Sequence, residues 1–362
     1  MAVIEIGTLA EFDELIASGR HTLRGVRLQS LDLTGRTDAL RALKADGAVF
    51  LGCVLEPEAV VHVRETGGLV FPPVPGVPFD PYRARLYTAD ELYEGLPEHG
   101  YSATLDAVLY AWYRDPASRA DVFHTLLRAI HDDAMSDGLT ELLADRPVIG
   151  VMGGHALVRG EEDYAAAARL GRTLARAGLL VVTGGGPGAM EAANLGAYLA
   201  PARDDALDLA LGKLAEAPRF APDVGAWALA GFAVRRALWP EQPGTSVGIP
   251  TWFYGHEPPN VFASHIAKYF ANATREDGLL ARSTAGVVVL PGAAGTVQEI
   301  FQAATPAYYA RDGHAAPIVL VGREYWTETL PAWPLLRVLA RDRDMAGRIH
   351  LVDHVDEVPS VL

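Results

Sequence analysis

Leu179-Leu180-Val181-Val182-Thr183-Gly184-Gly185-Gly186-Pro187-Gly188-Ala189-Met190-Glu191 is the stretch on which the fold turns. A short apolar run ends at Thr183, a glycine-rich turn follows, and a helical pattern then continues to about Leu199. Apolar runs of this length bounded by glycine read as strands buried on both faces. Consecutive glycines let the chain turn sharply and bring bare amides up to a ligand. The next helix adds its N-terminal amides and the positive end of its dipole. The stretch therefore predicts a strand–loop–helix unit with an anion site formed by Gly184, Gly185, Gly186, Gly188 and Met190. A turn that merely joins two elements has the same composition. The spacing is neither the dinucleotide fingerprint nor a Walker A loop, and no Lys-Ser/Thr pair follows it.

The same rhythm extends in both directions. Pro147 to Met152 reads as a strand ending in Gly153-Gly154-His155, and Glu161 to Ala177 as the helix behind it. Further strands are predicted at Ser246–Pro250, Gly286–Leu290 and Pro317–Val321, with helices at Thr274–Ser283, Gly295–Ala304 and Thr327–Leu339. Apolar strands alternating with helices imply an α/β fold, a Rossmann-like doubly wound parallel sheet over residues 146–362. Ligands of such sheets bind beyond the carboxyl ends of the strands, where both glycine turns fall. Pro201 to Pro243 is long for a connection and holds a helical stretch, Ala206–Ala217, so it reads as an insertion.

Residues 1–145 differ in texture and read as an additional N-terminal α+β region, expected to act as a cap or in oligomerisation. Leu9–Ser18 is a short amphipathic helix with Thr8 as N-cap and Gly19 as its stop. Leu23–Leu33 and Ala48–Leu55 read as strands, Tyr101–Tyr113 and Val122–Leu143 as helices. Phe71 to Pro81, with five prolines, is a rigid surface connection. No internal repeat is evident.

A second loop matches the first in kind: Leu290-Pro291-Gly292-Ala293-Ala294-Gly295-Thr296-Val297-Gln298-Glu299. Gly292 and Gly295 open the turn, and Thr296 falls at the helix start, where its hydroxyl can meet a phosphate oxygen. Glu299 follows one turn later on the same face. The same spacing is also that of a plain capping box.

Composition narrows the partners. The chain has 362 residues, half of them apolar, and a net charge of −14. That charge argues against long contacts with a nucleic-acid backbone, but not against a small anion held by amides. The acidic start lacks the pattern of a secretory signal, and no run is long enough to span a bilayer. The single cysteine, Cys53, reads as a small buried hydrophobe and fits a reducing, cytoplasmic setting. The expected partners are a small-molecule substrate and other copies of the chain.

Together the two loops resemble the Lonely Guy family, long labelled lysine decarboxylases, whose members share GGG-x-x-G-x-M and PGG-x-GT-x-x-E loops. The likeness is closest to the larger bacterial nucleotide 5′-monophosphate nucleosidases. Gly153-Gly154-His155, Thr183 to Met190 and Glu257-Pro258-Pro259-Asn260 are similar to their motifs, over roughly Arg146 to Tyr309. The resemblance implies hydrolysis of a nucleoside 5′-monophosphate to ribose 5-phosphate and free base, without a cofactor, in a dimer or larger assembly. It assigns Glu299 and an arginine on the preceding helix, Arg275 or Arg282, to catalysis, with Arg275 preferred. Gly154, His155 and Asn260 would line the nucleotide site, although Asn260 is also an ordinary turn residue after two prolines. Ala293 departs from the family glycine, which would cost about 1 kcal/mol if the position needed positive φ.

Other readings are weaker. His155 and His256 lie at glycine turns without spaced partners and read as pocket walls rather than metal ligands. His131-Asp132-Asp133 is expected to be a solvated helix face, and Tyr308-Tyr309 core or interface. A pyridoxal decarboxylase needs a Schiff-base lysine, and Lys44, Lys213 and Lys268 all lie outside the glycine loops. A nucleotide-binding carrier or sensor without turnover stays open.

Overall fold

The computed structural model describes residues 4–238, 243–254, 257–311 and 315–362. Two compact units emerge. One comprises residues 1–85 and 126–134, the other residues 86–125 and 135–362.

The smaller unit holds a parallel four-stranded sheet in chain order: β1 (Ile4–Ile6), β2 (Val26–Gln29), β3 (Val49–Leu51) and β4 (Leu69–Phe71). Helices Leu9–Ala17, Thr37–Arg41 and Pro57–Glu65 make the crossovers. Ile4 faces Val26, Arg27 faces Val49 and Val49 faces Leu69, a step of about 22 residues, which is solenoid spacing. The expectation of no repeat is thereby corrected. Each coil turns at a glycine of positive φ, Gly25, Gly47 and Gly67, ahead of its strand. Ile6, Leu28, Phe50 and Val70 then stack in register along one inner column. The strands are shorter than the sequence implied because Ser30, at φ 52, ends β2. Thr8 caps the first helix through a full capping box with Glu11. Cys53 is buried with Sγ 3.4 Å from the Leu28 carbonyl, as a small core residue should be.

His131 and Asp132 are also buried here, which overturns the solvated reading. The helix Val122–Leu143 contributes its 126–134 stretch to this unit, so only Asp133 reaches water. His131 Nδ1 lies 3.1 Å from Asp132, and its ring meets Phe79 edge-on. Burial lowers its pKa, against the pull of Asp132.

The larger unit is a seven-stranded parallel sheet of β5 (Val148–Met152), β6 (Leu180–Thr183), β7 (Ser246–Gly248), β8 (His265–Ile266), β9 (Gly286–Val289), β10 (Ile318–Val321) and β11 (Ile349–Val352), in the order β11-β10-β9-β5-β6-β7-β8. β5, β6, β9 and β10 are buried along their whole length, each valine or leucine contributing about 1.5–3 kcal/mol of apolar burial. The order is that of a doubly wound Rossmann-like sheet. The helices Glu162–Arg176 and Ala189–Tyr198 pack so closely that a Cβ on Gly171 would stand 2.1 Å from the Ala193 carbonyl oxygen.

The insertion carries two helices, Ala206–Leu214 and the unforeseen Val224–Ala237. The predicted Thr327–Leu339 helix is broken into a π-turn, Tyr325–Thr329, and a helix, Ala332–Ala340. Tyr309 is 75% exposed, so the core reading fails for it, whereas Tyr308 takes the Arg343 guanidinium over its ring. No described helix is long and apolar enough to cross a membrane.

Candidate active site

From β5 the chain winds one way through β6, β7 and β8, and the other way through β9, β10 and β11. The switch point therefore lies between the carboxyl ends of β5 and β9, the place where sheets of this order bind their ligands. Two loops border it, Gly153-Gly154-His155 and Pro291 to Gly295. Gly154 joins them: its N–H donates to the Pro291 carbonyl at 3.0 Å, and its own carbonyl accepts from Ala189 N–H at 3.1 Å. The two glycine loops of the sequence thus converge on one residue.

The first loop is held from behind. Gly185 N–H donates to Thr183 Oγ1 at 2.9 Å, and that hydroxyl donates to Asn194 Oδ1 at 2.7 Å. Gly185 is therefore withdrawn as a phosphate-binding amide. Asn260 is fully buried and engaged by protein. Its backbone N–H reaches the Gly185 carbonyl, its Nδ2 reaches Gly186 O and Asn194 Oδ1, and its Oδ1 accepts from Phe262 and Ala263. This residue braces the loop rather than lining the switch point. Gly188, at φ 71, rests on the His155 backbone, where a Cβ would approach the Gly154 oxygen to 2.5 Å. The Met190 sulfur lies against Gly184, 2.7 Å from where a Cβ would stand.

The second loop starts the helix Ala294–Tyr309. Its N-cap is Ala293, with no capping side chain, so the first-turn amides of Ala294, Gly295 and Thr296 have neither a side-chain cap nor intrahelical partners. Thr296 lies inside the helix, and the Thr296/Glu299 capping box is not formed. Its hydroxyl packs against Gly292, where a Cβ would sit 2.2 Å away. Ala293 has φ −98, an ordinary value, so the departure from glycine strains nothing.

Glu299 is buried one turn into this helix. Arg275, on the helix Asn272–Arg282, places Nη1 3.6 Å from its carboxylate. The same guanidinium donates to the Ile249 carbonyl at 2.6 Å and the Gly184 carbonyl at 3.4 Å, joining β7's end to the first loop. Arg282 is turned elsewhere, onto Ser136 O, Thr140 Oγ1 and Gly278 O. Arg275 is thus the arginine that meets the carboxylate. Burial pushes the Glu299 pKa up to about 7; Arg275 opposes the rise, and the charges of Glu276 and Glu257 add to it.

One side-chain pair at this edge escaped the sequence. His155 Nδ1 lies 2.9 Å from Glu257 Oε1. That hydrogen bond raises the His155 pKa, while partial burial lowers it. Glu257 also borders Gly186, so a carboxylate stands beside the first loop and an anion is better served by the second. The available signal was an acidic residue directly before two prolines at the strand-end edge. His256 lies outside the described residues. Lys268 is buried and paired with Asp106 at 2.5 Å, beneath Trp252. Among the described residues there is no group of three or more His, Cys, Asp or Glu suited to a metal ion.

Residues 146–203 match the family model described as SLOG cluster4 family, and residues 231–361 that described as Possible lysine decarboxylase. No curated protein matches the chain. Among solved structures, the molybdenum cofactor binding protein from the phototrophic bacterium Rippkaea orientalis is 18% identical, with 60% of this chain and 95% of that one covered and a TM-score of 0.37. The molybdenum cofactor carrier protein MCP from Chlamydomonas reinhardtii is 20% identical, with the same coverage and a TM-score of 0.36.

Proposed function

We propose, from the premise that the chain carries a domain of the Lonely Guy family, that it hydrolyses the N-glycosidic bond of nucleoside 5′-monophosphates, giving ribose 5-phosphate and free base. The observation that carries this reading is the buried Glu299 beside Arg275 at the switch point, with a pKa near neutrality. Burying a carboxylate costs stability, and groups so shifted by desolvation beside a charged partner are candidates for catalytic roles.

Breaking the bond develops positive charge on the ribose. Glu299, ionised, stabilises that charge and takes a proton from the attacking water. The 5′-phosphate lies on the uncapped amides of Ala294, Gly295 and Thr296 and on the Thr296 hydroxyl, where the helix dipole favours an anion. Gly186, Gly188 and Gly292 shape the site, so that phosphate binding energy fixes the reacting carbon. Arg275 holds Glu299 in place and contacts the ribose. Lys268, neutralised by Asp106, offers no Schiff-base amine, which sets the decarboxylase reading aside.

The test is release of ribose 5-phosphate and base from a panel of nucleoside monophosphates. Turnover of at least one supports hydrolysis. Binding of a monophosphate without release points to a carrier instead.

A further inference from the structure

Next to the first glycine loop lies a cavity of about 210 Å³. His155, Gly188, Glu191, Pro218, Phe220 and Trp227 line it. Glu191 is buried at its floor and fixed by two hydrogen bonds from Arg159, whose guanidinium also stacks on Trp227. Phe220 stands edge-on to both neighbouring rings, 6.3 Å from His155 and 6.4 Å from Trp227. The far wall, Pro218 to Ala221, belongs to the insertion between β6 and β7. Ligand pockets for drug-sized molecules run from about 300 to 1,000 Å³. This smaller aromatic slot suits one flat ring system and not a whole nucleotide.

We propose that the slot receives the departing base and that His155, oriented by Glu257, protonates that base as the bond breaks. This rests on the hydrolase reading above and adds to it the leaving-group acid, which neither glycine loop supplies. In the step, the C1′–N bond breaks and its electron pair passes to the base. A proton from His155 goes to the base, which leaves neutral. Water adds its oxygen to C1′ and gives a proton to Glu299; that proton returns to His155 through solvent. Because Nδ1 is engaged by Glu257, Nε2 is the nitrogen through which the ring donates. His155 follows Gly154, whose N–H donates to the Pro291 carbonyl at 3.0 Å, so the slot's acid adjoins the loop that leads into the Glu299 helix.

The experiment compares wild type with His155→Ala on two substrates, a natural monophosphate and 4-nitrophenyl riboside 5-phosphate. The nitrophenolate leaves without needing a proton, and its ring is of a size the slot takes. His155→Ala should lose roughly 100- to 1,000-fold in kcat on the natural substrate, the usual worth of a general acid, and stay within about threefold of wild type on the nitrophenyl one. Phe220→Ala should instead raise KM on both. Equal losses on both substrates by a His155→Ala protein of unchanged melting temperature overturn the acid role. Refusal of the nitrophenyl substrate by an otherwise active wild type overturns the slot. A wild type inert to every monophosphate and to the nitrophenyl substrate brings down the hydrolase reading itself.

Discussion

The two sheets are built from the same parts, parallel strands joined by helices, yet the candidate site lies in only one. In the smaller unit the strands follow chain order, β1 to β4, and every crossover proceeds in one direction. Such a stack buries a continuous inner column, but no pair of neighbouring loops parts. In the larger unit the winding reverses between β5 and β9. The reversal brings the loops after β5 and β9 together at the switch point, beside a helix N-terminus, Glu299 and Arg275. What sets the candidate site apart is therefore not parallel pairing but the change of direction.

The two sheets also rest on different packing, and substitutions can test that contrast. The solenoid depends on a column of side chains. Phe50→Ala empties its centre and should cost about 3–5 kcal/mol, read as a shift of the urea midpoint. If it costs less than about 1 kcal/mol, the inner column is not what holds the coils. The larger unit depends on backbone-to-backbone contact between two helices. Gly171→Val forces the helix Ala189–Tyr198 away and should cost about 3 kcal/mol, whereas the same change at exposed Gly212, with no atom within 4 Å of a Cβ, should cost little beyond helix propensity.

Ionisation of Glu299, in the larger unit, gives the next smaller effect. Glu299 holds its proton in the folded chain up to about pH 7, against 4.5 for an ordinary glutamate. Between those values the folded state binds more protons than the unfolded one, so this group's stabilisation is full below about pH 4.5 and is lost as pH rises through 7. Relative to wild type, Glu299→Gln should thus gain on the order of 2–3 kcal/mol between pH 5 and pH 8, measured as the difference in unfolding free energy. A constant difference across that range would show that Glu299 titrates normally. Smallest of all, Ala293→Gly should change stability by less than about 0.5 kcal/mol and turnover by less than about twofold, because the alanine already has negative φ.

The sequence showed the larger sheet more clearly than the smaller for a physical reason. Strands buried on both faces leave apolar runs with glycine after them, and Val148–Met152, Leu180–Thr183, Gly286–Val289 and Ile318–Val321 all read that way. The solenoid strands span three or four residues, and their repeat is carried by glycine position and inward column rather than by matching letters. β8, with two residues, leaves no pattern at all. Within the site, Glu299 and both glycine loops were legible because motif and strand–turn–helix context agree. The choice of Arg275 over Arg282 was not, since both lie on one helix and only the fold shows which faces the carboxylate. Asn260 stood in a recognisable segment, yet its part as a brace depends on Asn194 and the Gly185 and Gly186 carbonyls, contacts that sequence spacing does not encode. The His155–Glu257 pair joins residues far apart in the chain, and no local pattern announces it.

The central claim is that Glu299 at the switch point cleaves a nucleotide. The most direct measurement is the rate of ribose 5-phosphate release from the best monophosphate by wild type and by Glu299→Gln, with monophosphate affinity measured on both. The account predicts release by wild type, a loss of at least about a thousandfold in kcat for the variant, and affinities within a few-fold of each other. Equal rates from the two proteins, or tight binding by both with no release from either, would contradict it.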